Sequence, residues 1–207
     1  MRDVCDVAER VRAIIADALH TAIGEVMQPS VANIAPLNTI GCYLLKHLTR
    51  ADYVPVAGSI EVGCGGGTLS LHAHVENVEA HKYYIWIQRR RSDGDLELVD
   101  FGSRYWLDWA IDTGALWPGG PPPDFVWSPT DEIPSSLATY TPNEEITMLV
   151  RRAIDRAIRA AEPDESVTVW ETAINRAIDL IMLSPEGLQF LVDAGIAEPV
   201  DREERAS

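Results

Sequence analysis

Apolar residues change their spacing twice along this chain, and that change limits the folds open to it. From residue 3 to about residue 23, Val4, Val7, Val11, Ile14, Ile15 and Ala18 recur near helical intervals with Asp, Glu and Arg between them, which predicts an amphipathic first helix. Thr39 is a credible N-cap for a second helix whose apolar face is Leu44, Leu45 and Leu48. The period then drops to two. Residues 52–62 read as an extended run in which Pro55 marks an edge or irregular start, and residues 68–76 alternate with Leu69, Leu71, Ala73 and Val75 on one face. Residues 81–87 and 96–101 form an antiparallel hairpin across a polar connection that contains Asp93-Gly94. Helical spacing returns at 143–161 and 167–183, separated around Pro163, and Pro185 opens a short last helix. Such an order predicts one α+β domain over residues 1–207, with a central antiparallel sheet and extra C-terminal helices at 143–197.

Charge narrows the partners. With 17 Lys plus Arg against 32 Asp plus Glu, the net charge of −15 repels phosphate backbones and anionic lipid, so neither nucleic acid nor a membrane is an expected partner. The first residues show no apolar signal-peptide core and no run reaches bilayer length, which makes a cytoplasmic location the expectation. Three cysteines, Cys5, Cys42 and Cys64, are an odd number in a chain 46% hydrophobic and large enough to bury a core, so reduced thiols are expected. No cofactor is expected either.

Three residues stand in an order that suits thiol chemistry: Cys42 at a helix head, His81 opening one strand and Asp100 closing the next. If Thr39 caps its helix, Cys42 occupies N3, where unpaired N–H groups and the helix dipole favour a thiolate. The same N–H groups would face an oxyanion, with the Asn38 amide as a candidate second donor. His81 would move the proton and Asp100 would orient it. The hairpin sets a condition on this triad. His81 opposite Asp100 requires paired positions that sum to 181, whereas a two-residue turn on Asp93-Gly94 makes them sum to 187 and separates the pair by roughly 20 Å. A wider loop or a bulge around Arg89, Arg90 and Arg91, otherwise a solvated basic loop tip, is therefore expected. His74 is an alternative base.

This order of Cys42-helix, His81-strand and Asp100-strand resembles the papain-like cysteine-proteinase superfamily, most nearly its transglutaminase-like and arylamine N-acetyltransferase-like branches, over roughly residues 38–106. Gly41-Cys42-Tyr43, His81-Lys82-Tyr83 and Asp100-Phe101-Gly102 carry the likeness. The resemblance implies a papain-like cysteine-proteinase fold with the nucleophile helix packed on the sheet and a catalytic core at about 30–130. The transferase branch usually has Arg-Gly-Gly before its cysteine, and the transglutaminase branch favours His-Ala-Trp and Asp-Pro. Neither pattern is present, so coenzyme A acetyl transfer and glutamine cross-linking do not carry over.

The leading expectation is a thiol hydrolase or acyl transferase using Cys42, His81 and Asp100 on the carbonyl of a small-molecule or peptide substrate. The alternative is a catalytically silent protein of the same fold that binds a peptide or small acyl ligand in a cleft walled by the aromatic residues of 105–127. A third reading, a metal-dependent hydrolase, would use His72 and His74 on one strand face. The C-terminal helices could cover the sheet or form a homodimer face.

Overall fold

The computed structural model describes residues 7–27, 34–63, 67–77, 83–115, 117, 120–159 and 165–198. Its elements run α1 (Glu9–Val26), α2 (Ile34–Thr49), β1 (Val54–Gly63), β2 (Thr68–Leu71), β3 (Tyr84–Arg90), β4 (Leu96–Asp100), α3 (Trp106–Asp112), β5 (Val126–Pro129), β6 (Ala138–Pro142), α4 (Glu144–Arg159), α5 (Glu165–Met182) and α6 (Pro185–Asp193). The sheet is antiparallel in the order β2-β1-β3-β4-β5, with β6 added on β1. The expected α+β class with a central antiparallel sheet is what this chain adopts.

Helices and loops cover both faces of the sheet. On one side Ile87, Val99, Phe101 and Trp127 meet α1, α2 and α5, while Ala57 and Ile85 meet Ile146, Val150 and Ile154 of α4. On the other side Val56, Trp86, Leu98 and Val126 pack with Trp106 and Ala110 of α3. Double burial explains why Tyr84, Ile85, Trp86 and Ile87 of β3 are aromatic or aliphatic on both faces and why β4 is buried from Glu97 to Asp100, instead of a clean polar–apolar alternation. The C-terminal helices complete the same body: α4 lies against β1, α5 packs along α1, and α6 touches both α1 and α5.

Pro55 lies inside β1 without breaking it. Ala57, two residues on and therefore facing the same edge, sends its amide to Thr147 Oγ1 at 3.0 Å and receives the Thr147 hydroxyl on its carbonyl at 3.0 Å. That edge belongs to the start of α4, not to β3, so the N–H that Pro55 lacks is not one the β1–β3 ladder needs.

Three sequence expectations change here. The helix that carries Cys42 begins at Ile34, not near Thr39. Pro36 is its third residue, in the first turn, where a missing N–H costs no helical bond. Cys42 therefore sits in the third turn, away from the free N–H groups of the helix start. The β3–β4 pairing sums to 186, from Ile87 with Val99 to Arg90 with Leu96, and one step further the position opposite Asp100 is Trp86. Arg91 O accepts from Gly94 N, and Gly94 has φ 95°, so a tight turn closed by a left-handed glycine replaces the wide loop that a triad would need. Finally, β2 stops at Leu71, and His72 and His74 lie beyond it, exposed. Alternation persists there as burial, with Ala73 buried and Val75 half-buried against Ile85, without a ladder.

Candidate functional site

Cys42 projects from the middle of α2 into the main core, 1% exposed, among the side chains of α1, α2 and α5 and the sheet. Burial pushes its thiol up to about 12, and the nearby Lys46 and Arg151 charges only partly oppose this. A shift of that size from 9.0 leaves roughly a thousandfold less thiolate at neutral pH. In the native protein at pH 8, iodoacetamide should modify Cys42 at least about a hundredfold more slowly than a free thiol, and at the ordinary rate in urea. Fast native labelling, followed by mass spectrometry, would restore the thiol to candidacy. His81, Cys5 and Cys64 lie outside the described residues.

Asn38 and Asp100 are brought together, but not as oxyanion donor and base orienter. Asn38 Nδ2 donates to Asp100 Oδ1 at 2.8 Å and to the Ile85 carbonyl at 2.9 Å, and Asn38 Oδ1 accepts from the Phe101 amide at 2.8 Å. Asp100 Oδ1 also accepts the Gly102 N–H at 2.7 Å, and Oδ2 accepts the hydroxyls of Tyr84 at 2.9 Å and Tyr140 at 2.8 Å. Trp106 Nε1 donates to Tyr84 Oη at 3.0 Å. Both Asn38 and Asp100 are fully buried. Burial raises the Asp100 carboxyl above its usual range, and the bonds from Asn38, Tyr140, Tyr84 and Gly102 pull the other way. The result is a clasp that joins α2 to the ends of β3 and β4. Gly41 and Gly102 belong to it sterically, since a Cβ at Gly41 would stand 2.6 Å from the Phe101 ring and one at Gly102 2.6 Å from Ile34 Cγ2.

A second polar network went unseen in the sequence. Glu97 of β4, fully buried, faces Arg89 of β3 directly across the ladder and bonds to it through Oε2, which also accepts the Tyr53 hydroxyl at 2.9 Å. Arg12 of α1 brings Nη2 to 3.6 Å from Glu97 Oε1, donates to the carbonyls of Val7 and Trp127, and lies over the Trp127 ring. Arg89 is thus 4% exposed and part of the core, not of a solvated loop tip. His20 of α1 is also buried. Its Nε2 lies 3.3 Å from the Asp124 carbonyl, and burial, with the nearby Arg104 charge, lowers its pKa to about 4. No cluster of three or more His, Cys, Asp or Glu that could hold a metal exists among the described residues.

One concave feature among the described residues is a cleft of about 640 Å³ over the start of α2. Ile34, Ala35, Pro36 and Thr39 form one wall, Tyr83, Tyr84 and Ile85 the floor along β3, and Val150, Ala153 and Ile154 of α4 the opposite wall. Trp109 of α3, Trp170 of α5 and Leu71 of β2 complete it. Trp109 is the residue by which the aromatic stretch after β4 reaches this cleft, while Phe125 and Trp127 border a separate hollow of about 530 Å³ beside Arg12. Neither Cys42 nor Asp100 is among the residues lining the cleft, although Tyr84 links its floor to the Asp100 clasp. Of the aromatic stretch that the sequence offered as a cleft wall only Trp109 lines this one, and the rest of the lining gave no signal, because it comes from five further elements distant in sequence, α2, β2, β3, α4 and α5.

No family model matches this chain, and no curated protein matches it. One solved structure, described as "The crystal structure of genomics APC5867", aligns with a TM-score of 0.51 and 16% identity over 83% of this chain and 78% of that one. The likeness extends to the fold alone. Among the described residues no helix is long and apolar enough to cross a membrane.

Proposed function

We propose that this protein is a binding module that holds an apolar ligand non-covalently in the cleft between α2, β3 and α4. The observation that carries this reading is the cleft itself: about 640 Å³, within the usual range for ligand sites, walled mainly by aliphatic and aromatic side chains, with no Cys, Ser or His among its described lining residues. The residues selected for thiol chemistry support it from the other side, because Cys42 is sealed in the core and Asp100 has its oxygens occupied by four donors.

Nile red, an uncharged apolar dye, tests the cleft. It should bind with a blue-shifted emission, and Ala153→Trp, at an exposed position on the α4 wall, should weaken binding at least about tenfold by filling the space. Unchanged binding in a folded Ala153→Trp protein would refute this location. A thiol enzyme on the papain-like plan is the second reading, favoured by one observation, the packing of the Cys42 helix against β3 of the antiparallel sheet. The alkylation experiment above decides it.

A further inference from the structure

His20 is a buried titratable side chain that neither the cleft nor the two polar networks use. Its Nε2 lies 3.3 Å from the Asp124 carbonyl, which can only accept, so the neutral ring carries its proton on Nε2. Nδ1 is then an unprotonated nitrogen, buried and without a hydrogen-bond partner. A second proton would have to enter at Nδ1, where nothing accepts it, and would set a cation beside Arg104. The charged groups that act on the ring, Arg104 and Asp124, both come from the connection between β4 and β5, and the Tyr105 ring lies against it at 6.1 Å between centroids. Asp124 favours protonation, but burial and the Arg104 charge outweigh it and hold the imidazole down at about 4.

Packing decides which side of this contact yields. On α1, Leu19, Ala22 and Ile23 are sealed in the core. Opposite them Arg104 and Asp124 are exposed, and Tyr105 and Phe125 only half-buried. These two ends of the connection hold each other, through Ser103 Oγ donating to the Pro123 carbonyl at 2.9 Å and an Arg104–Asp124 ion pair at 3.5 Å, so they can lift as a unit. Local opening draws on such shallow segments. We infer that His20 and Arg104 form an acid-sensitive latch: the neutral imidazole ties residues 103–105 and 123–125 to α1, and its protonation against the Arg104 charge releases them. Trp106, fully buried and bonded to Tyr84, and Val126 in the β4–β5 ladder bound the released stretch. The tie is at full strength above the ordinary histidine value of 6.5 and is lost as pH falls from there toward 4. Between pH 7.5 and pH 5 the open population should therefore grow about thirtyfold.

Hydrogen–deuterium exchange of the intact chain at pH 7.5 and pH 5, read by mass spectrometry and corrected for the intrinsic pH dependence of amide exchange, measures the opening. Protection of peptides covering 102–106 and 123–126 should fall about thirtyfold at pH 5. Sub-denaturing urea should leave that exchange unchanged, because a small opening exposes little surface, while it quickens exchange in β3. His20→Gln keeps an N–H donor for the Asp124 carbonyl and cannot become charged, so its protection should be equal at the two pH values. Arg104→Gln, at an exposed position, removes the cation that opposes protonation and should shrink the fall several-fold, a test that stands even if His20→Gln does not fold. A fall that persists in His20→Gln, or is undiminished in Arg104→Gln, would trace to other groups and overturn the inference. Exchange at 102–106 as urea-sensitive as that of β3 would show whole-molecule unfolding in place of a latch, and unchanged protection at pH 5 would remove the latch outright.

Discussion

Replacing Asn38 by Ala should destabilise the protein by about 4 kcal/mol, a large share of the 5–15 kcal/mol typical of a folded domain. The side chain is fully buried and makes three bonds, so truncation strands the Ile85 carbonyl, the Phe101 amide and one acceptor position of the Asp100 carboxylate together. Each buried group left unsatisfied costs about 1–3 kcal/mol, and the cavity adds to this. Urea unfolding should show a lower midpoint at unchanged slope, and thermal unfolding a fall of roughly 10 °C. Asp100→Asn is the informative companion. It keeps an acceptor for Asn38 and Gly102 and turns an amide toward two tyrosine hydroxyls that can rotate to accept, so its cost should be nearer 1–2 kcal/mol. Asp100→Ala strands four donors and should resemble Asn38→Ala or exceed it. An Asn38→Ala protein as stable as the wild type would mean that the clasp does not hold α2 on the sheet.

The residues of that clasp are the ones the sequence brought forward for another reason. Asn38, Gly41, Asp100 and Gly102 stand out because a polar or glycine residue interrupts apolar runs, and such interruptions arise at clasps as well as at catalytic sites. Which of the two applies depends on long-range register, and a single residue of slip moves every partner. Here the turn through Gly94 sets a register that places Trp86, not position 81, across from Asp100. The placement of Cys42 at a helix head changes one step earlier, because Thr39 reads as an N-cap, whereas the helix starts at Ile34 and accepts Pro36 in its first turn. Class and element order were legible because they rest on periodicity, which both faces of the sheet and each amphipathic helix obey. The cleft was not, because it exists only where α2, β3, α4, Trp109 and Trp170 meet. Arg89 was misread for the same reason: its buried place depends on Glu97 across the ladder and on Tyr53, whose ring lies under its guanidinium.

Glu97→Gln should be the other costly substitution, by about 3–5 kcal/mol, although the side chain changes by one atom. The amide keeps the volume but removes the charge that the guanidinium groups of Arg89 and Arg12 face from β3 and α1. Taking ions out of water is expensive, and their mutual attraction is what offsets it. Deleting one member therefore costs more than deleting a pair. Arg89→Met combined with Glu97→Leu should be more stable than Glu97→Gln alone, because Arg12 is still anchored on the Val7 and Trp127 carbonyls, over the Trp127 ring, and is 19% exposed. The measurement is a double-mutant cycle by urea unfolding, with a coupling of at least about 2 kcal/mol between positions 89 and 97. Additive losses would show that the two charges act independently and that apolar packing alone holds α1 against β4. Strong coupling would make this network the second tie, beside the Asn38–Asp100 clasp, between the helical layer and the sheet, and would explain why two charged residues occupy facing positions in a core otherwise built from Ile87, Val99 and Trp127.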